Sequence, residues 1–238
     1  MKIDKLFNGL KRIANGDYVL EGDLISEETI EIDLDDRFVV KGKIRAKKSI
    51  VVRRGIEAGW GIKAGWGIEA GDGIEAGCGI KAGDGIKAGW GIKAGDGIEA
   101  GCGIEAGCGI EAGCGIEAGW GIKAGCGIEA GDGIKAGWGI KAGDGIKAGC
   151  GIKAGDGIEA GWGIEAGCGI KAGCGIEAGW GIEAEKFIDV KNRIFAGISV
   201  YRTSQNCDKT IRCAELRSGE ICYGDLTITE NGGSPDES

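Results

Sequence analysis

The sequence predicts an all-β chain, a parallel β-solenoid (β-helix) built from six-residue units, and three observations predict it. First, twenty-two hexads run without a break from Gly55 to Lys186, each reading G-I-[E/K]-A-G-[W/C/D] except the last, GIEAEK. Second, two glycines in every hexad cost a helix about 2 kcal/mol relative to alanine, which excludes it. Third, Ile, Glu or Lys, and Ala alternate inward, outward and inward, the period of a strand. The Gly-X-Gly that follows is expected to supply the positive φ and close backbone approach of a tight corner. Coils then stack about 4.8 Å apart and bury Ile on Ile and Ala on Ala.

The flanks follow the same logic. EIDLDD (31–36), RFVVKG, KIRAKK and SIVVRR keep apolar residues at positions two and four, as do FIDVKN (187–192) and RIFAGI. The solenoid is therefore expected over 31–198, with its near-perfect part at 55–186. Residues 1–30 are expected to form an N-terminal cap, with a short amphipathic helix at 4–15 (Leu6, Phe7, Leu10, Ile13) ended by Gly16, and strands after it. Such a cap covers the open edge of the first coil. Residues 199–229 are expected to close the other end as a β cap, and 230–238 to be a disordered tail.

Coil length is read from the sixth positions. Sorted by threes, Trp, Cys and Asp scatter over every row; sorted by twos, all six Asp fall in one row. Residues 55–114 and 115–174 are also a duplication of ten hexads differing at six positions, and ten hexads divide evenly into pairs but not into threes. The sequence thus favours a flattened 12-residue coil of two hexads over the triangular coil of three. Trp, Cys and Asp cannot share one core slot, because a mismatch of a few methylenes already costs kilocalories. The sixth side chains are therefore expected to face outward.

On the two-hexad reading the rod has two unlike surfaces. One is a partner-binding acidic face carrying Asp72, Asp84, Asp96, Asp132, Asp144 and Asp156 with Glu57, Glu69, Glu105, Glu117 and Glu129. The other is an apolar stripe, Trp66, Cys78, Trp90, Cys102, Cys114, Cys126, Trp138, Cys150 and Trp162. Its order is palindromic about Cys114, so it is expected to join two copies as an antiparallel homodimer. Ladders of Glu and Lys that only keep the rod soluble are the plainer alternative.

Composition bounds the function. The chain has 238 residues and a net charge of −8, and the 12 Glu and 6 Asp against 10 Lys of residues 55–184 account for all of it. No basic footprint for nucleic acid is present, so no direct nucleic-acid partner is expected. No apolar run of about 18 residues suits a membrane span. The charged start carries no apolar signal segment, so a cytoplasmic location is expected, with the 11 Cys as reduced thiols. There is no His, and thiols in a row do not surround a tetrahedral ion, so no metal or cofactor is expected. Cys207, Cys213 and Cys222 lack a fourth ligand and are expected to pack in the cap. No paired carboxylates, Ser/Cys–His pair or phosphate-cradling loop stands out, so no catalytic residue is assigned and no enzyme is expected.

Several repeat families share parts of this pattern. The hexads superficially resemble the triangular acyltransferases, but those act through a His. Near-perfect hexads also resemble phage and mobile-element proteins, and in outline the chain is similar to the pentapeptide-repeat DNA mimics. That resemblance implies a non-catalytic rod docking on a nucleic-acid-binding protein, for instance a nuclease, as an inhibitor. The apolar spacing in EIDLDDRFVVKGKIRAKKSIVV resembles that of bactofilins, which implies instead a self-assembling cytoskeletal or fibre subunit.

Overall fold

The computed structural model describes residues 1–198 and 208–229. Among them there is no helix, and the strands form a parallel β-solenoid of about 11 turns. Each hexad gives a short strand, of three residues as in Ile62–Ala64 or, once, of four in Gly169–Ala172, with Ile and Ala buried and the charged residue between them outside. The repeat Ile side chains are 0–1% exposed, and among the described residues no charged side chain is buried, so the interior of the repeats is hydrocarbon. Burying one Ile is worth about 1.5–3 kcal/mol.

The coil holds three hexads, not two. Ile62 lies against Ile80, Lys63 against Lys81 and Ala64 against Ala82, so each strand stacks on the one three hexads further on. The corners keep the same step: Cys78 N–H donates to the Trp60 carbonyl at 3.1 Å, and Asp96 N–H to that of Cys78 at 3.3 Å. The expected 12-residue coil is thereby overturned. The sixth side chains point outward, so no packing term ties their order to the coil period. The duplication fails as a ruler for a similar reason. Ten hexads are three coils plus one hexad, so the second copy simply lands one face further round, where the same Ile and Ala slots await it.

The repeat glycines also act differently from expectation. None has positive φ; among the described residues only Gly9, Gly16, Gly22, Gly197, Gly219 and Gly224 do. What the repeats use is close approach. A Cβ on Gly83 would overlap the carbonyl oxygen of Gly65 one coil below, and every fifth-position glycine of the perfect hexads meets the same obstacle.

The N-terminal segment is not a helix. Lys2–Ile3 pairs in parallel with the strand Ile30–Ile32, and Leu10–Arg12 folds back antiparallel on Tyr18–Leu20. Two Asn-Gly dipeptides explain this, since they are strong turn signals. Gly9 takes φ +84 in the middle of the expected helix, and Gly16 takes φ +98 in the turn closed by Ile13 N–H donating to the Asp17 carbonyl. Leu6, assigned to the buried face, is 93% exposed. The regular coil-on-coil register begins at Tyr18, which pairs with Phe38, so the first coil is longer than the repeat coils by two positions. The extra pair sits in the corner after Ile32, where Leu34 is buried and Asp35 and Asp36 face the cap.

At the other end Phe187–Ala196 bends across two faces, pairing with Gly169–Ala172 and then Ile176–Ala178. Glu215–Tyr223 lies on it with register shifts, and Asp225–Ile228 lies on Thr210–Cys213. Cys213 is buried in this last turn, in keeping with packing, whereas Cys222 is exposed. Cys207 and the tail 230–238 lie outside the described residues.

Candidate functional site

The three-hexad step gives the rod three faces and three corners, and the charge divides unequally among the faces. The face beginning at Ile56–Ala58 stacks Glu57, Glu75, Lys93, Glu111, Glu129, Lys147, Glu165 and Glu183. We term it the glutamate face; its strand positions hold six Glu and two Lys. The next, the lysine face, stacks Lys63, Lys81, Glu99, Glu117, Lys135, Lys153 and Lys171. The third, mixed face carries Glu69, Lys87, Glu105, Lys123, Lys141, Glu159 and Glu177.

This arrangement dissolves both expected surfaces. The six Asp occupy all three corners in pairs: Asp96 and Asp132 between the glutamate and lysine faces, Asp84 and Asp156 between the lysine and mixed faces, Asp72 and Asp144 between the mixed and glutamate faces. Of the Glu residues assigned with them, Glu57 and Glu129 lie on the glutamate face, Glu69 and Glu105 on the mixed face, and Glu117 on the lysine face. The apolar stripe is likewise split three ways. Cys78, Cys114 and Cys150 share one corner, Trp66, Cys102 and Trp138 the second, and Trp90, Cys126 and Trp162 the third. No single line of Trp and Cys exists for a partner copy to read, so the palindromic order has no surface on which to act.

The outward orientation of the sixth position does hold. Trp60, Trp66, Trp90, Trp120, Trp138 and Trp162 are each more than half exposed. Where two indoles follow each other in one corner they stack: Trp120 on Trp138 at 5.6 Å and 9°, Trp162 on Trp180 at 5.8 Å and 11°.

Each face has a shallow trough beside its strands, floored by the first-position glycines, whose missing Cβ leaves the backbone bare. The trough of the glutamate face has a volume of about 980 Å³ and runs from Arg37 to Arg212, past Asp72, Trp90 and Trp180. Both ends are held by arginine: Arg37 reaches Glu57 at 2.7 Å and Glu75 at 3.7 Å, and Arg212 reaches Glu183 at 3.2 Å. Between them Lys93 pairs with Glu111 at 2.9 Å and Lys147 with Glu165 at 3.2 Å, and the Glu111 carboxylate holds the Lys93 ammonium above its ordinary pKa. Glu129 has no ion pair among the described residues and sits at the middle of the trough.

Among the described residues no cluster of three or more His, Cys, Asp or Glu has the geometry to hold a metal ion. The division of charge among faces was present in the sequence, since it follows from reading the third positions of every third hexad. No protein family, curated protein or solved structure matches this chain.

Proposed function

We propose that this chain is a non-catalytic binding rod of the cytoplasm that docks through its glutamate face on a basic surface of another protein and blocks it. The supporting observation is the asymmetry of charge around the rod, six Glu to two Lys on one face against two Glu to five Lys on the next. Ladders serving only solubility have no reason to segregate in this way. A nucleic-acid-binding protein, such as a nuclease, is the class of partner that carries a suitable basic surface.

Magnitude narrows the mode of contact. From Glu57 to Glu183 is about 34 Å at the strand spacing, and four excess negative charges give one per about 8 Å, whereas duplex DNA carries one per about 1.7 Å. The face therefore fits a discrete basic patch rather than a whole duplex track. Affinity capture from the native host tests this. A bound protein that is released by salt and by competing duplex DNA, and lost with Glu111→Lys and Glu129→Lys but kept with Glu105→Lys on the mixed face, supports the reading. Equal retention by both sets of variants overturns it.

A second reading, a self-assembling structural subunit, is favoured by the C-terminal end. There the strand Asp225–Ile228 is exposed at every residue, with Tyr223, Leu226 and Ile228 among the exposed large apolar side chains. Electron microscopy separates the two readings: filaments or end-joined rods support the structural one, and single short rods the binding one.

A further inference from the structure

The three-hexad step brings together cysteines that lie far apart in sequence. Of the eight repeat cysteines, four form two vertical pairs. Cys108 sits directly below Cys126 in one corner, and Cys150 directly below Cys168 in another, with Cys126 N–H donating to the Cys108 carbonyl at 3.1 Å and Cys168 N–H to that of Cys150 at 2.9 Å. Cys78, Cys102, Cys114 and Cys174 have no cysteine directly above or below them. All eight are free, and all are exposed or half-exposed.

We propose that Cys108–Cys126 and Cys150–Cys168 are two oxidisable dithiol sites, each closing as a disulfide that staples adjacent coils when the protein meets a small-molecule disulfide of the glutathione class. Adjacent parallel strands hold their Cα atoms about 4.8 Å apart, inside the window of about 4.4–6.8 Å that a disulfide requires. In-register stacking sends both side chains the same way, so closure needs rotation about χ1 and a slight approach of the two Cβ atoms.

The chemistry balances with that oxidant. One thiolate attacks the glutathione disulfide, forms a mixed disulfide and expels a glutathione thiolate. The neighbouring thiolate attacks the protein sulfur of the mixed disulfide and expels the second glutathione. Two protein thiols lose two electrons, the oxidant gains them, and the two thiol protons end on the two glutathione molecules. Attack requires thiolate. The Cys126 thiol is held above its ordinary pKa by desolvation, then by the Cys108 sulfur and the Asp144 carboxylate. Cys150 is raised in the same way, by desolvation, Cys168 and Asp132, with Lys186 opposing. Closure is accordingly slow at neutral pH and accelerates about tenfold per pH unit while the thiols stay mostly protonated.

The test incubates the full chain with glutathione disulfide at a series of pH values, alkylates the remaining thiols and maps the products by mass spectrometry without reduction. Expected are peptides joined 108 to 126 and 150 to 168, with glutathione or alkyl groups on Cys78, Cys102, Cys114 and Cys174. In Cys126→Ser, a glutathione adduct should persist on Cys108, because nothing resolves it. Persistent adducts on both members of a pair in the unaltered chain, or joins spread over all eight cysteines, would overturn the proposal.

Discussion

The two ends of the rod solve the same problem differently. At the N-terminus the first coil is closed over by the hairpin around Gly16, and the two-residue insertion in the next corner ties that hairpin down. Lys5 Nζ reaches Asp35 at 2.8 Å, Tyr18 Oη donates to Asp35 at 2.8 Å, and Arg12 reaches Asp36 at 2.8 Å. Tyr18 and Phe38 are buried beneath it. The C-terminal turn has no comparable cover among the described residues: its last strand is exposed throughout, and the strand beneath it, Thr210–Cys213, is the one that buries Ile211 and Cys213. A coil of a solenoid is stabilised mainly by its neighbours. The difference therefore makes position along the rod, more than residue type, the main determinant of what a substitution costs.

The sharpest check on this contrast is a matched pair of truncations. Ile122→Ala, in a coil covered on both sides, should cost about 2–5 kcal/mol, read as a lower midpoint in denaturant unfolding. Leu226→Ala, at the exposed end and 42% accessible, should stay within about 0.5 kcal/mol. Equal costs would mean that the last turn is buried in solution by something else. Glycine gives a second pair. Gly119→Ala drives a methyl group into the Gly101 carbonyl oxygen and should cost about 1–3 kcal/mol, by overpacking that cannot relax without separating two coils. Gly22→Ala meets nothing within 4 Å but sits at φ +83, so its cost is left-handed strain alone, about 1 kcal/mol.

The closed end should also loosen with acid. Asp35 is held well below the usual carboxylate range, first by Lys5 and then by the Tyr18 hydroxyl. A carboxylate with a depressed folded-state pKa contributes stability that is complete above its unfolded value, about 3.9, and fades as pH falls below it. Amide exchange in the hairpin 10–20 should be flat from pH 8 to about pH 5 after correction for intrinsic rates, then quicken below about pH 4. Asp35→Asn should exchange quickly throughout and lose that dependence.

How far these features could be read in the sequence depends on what each residue touches. Ile and Ala face the interior, where packing admits nothing else, so strand, corner and inward columns were legible from the hexad alone. Trp, Cys and Asp at the sixth position face water, so their order is free of the fold, and treating it as a record of coil length produced the two-hexad coil, the acidic row and the Trp/Cys stripe together. The N-terminal helix failed because Leu6, Phe7, Leu10 and Ile13 fit a helical period while Asn8–Gly9 and Asn15–Gly16 carried the stronger local signal. The longer first coil was hidden because EIDLDD matches the hexad pattern in a frame two positions away from the one the backbone uses.

The smallest expected change in stability tests the end contrast most directly. Ile228 is 52% exposed, so Ile228→Ser, made together with Leu226→Ser, should leave the unfolding midpoint nearly unmoved. The informative measurement is mass in solution. An uncovered strand edge beside apolar side chains is a template for pairing with another chain, and the hairpin at the opposite end leaves the C-terminal edge as the route by which two rods would join. If light scattering shows the unaltered chain growing heavier with concentration and the double variant staying monomeric, the C-terminal turn is a joint. A monomer in both cases, with unchanged stability, would mean that the exposed edge is tolerated bare, and would leave the charged faces as the surfaces through which the rod meets other molecules.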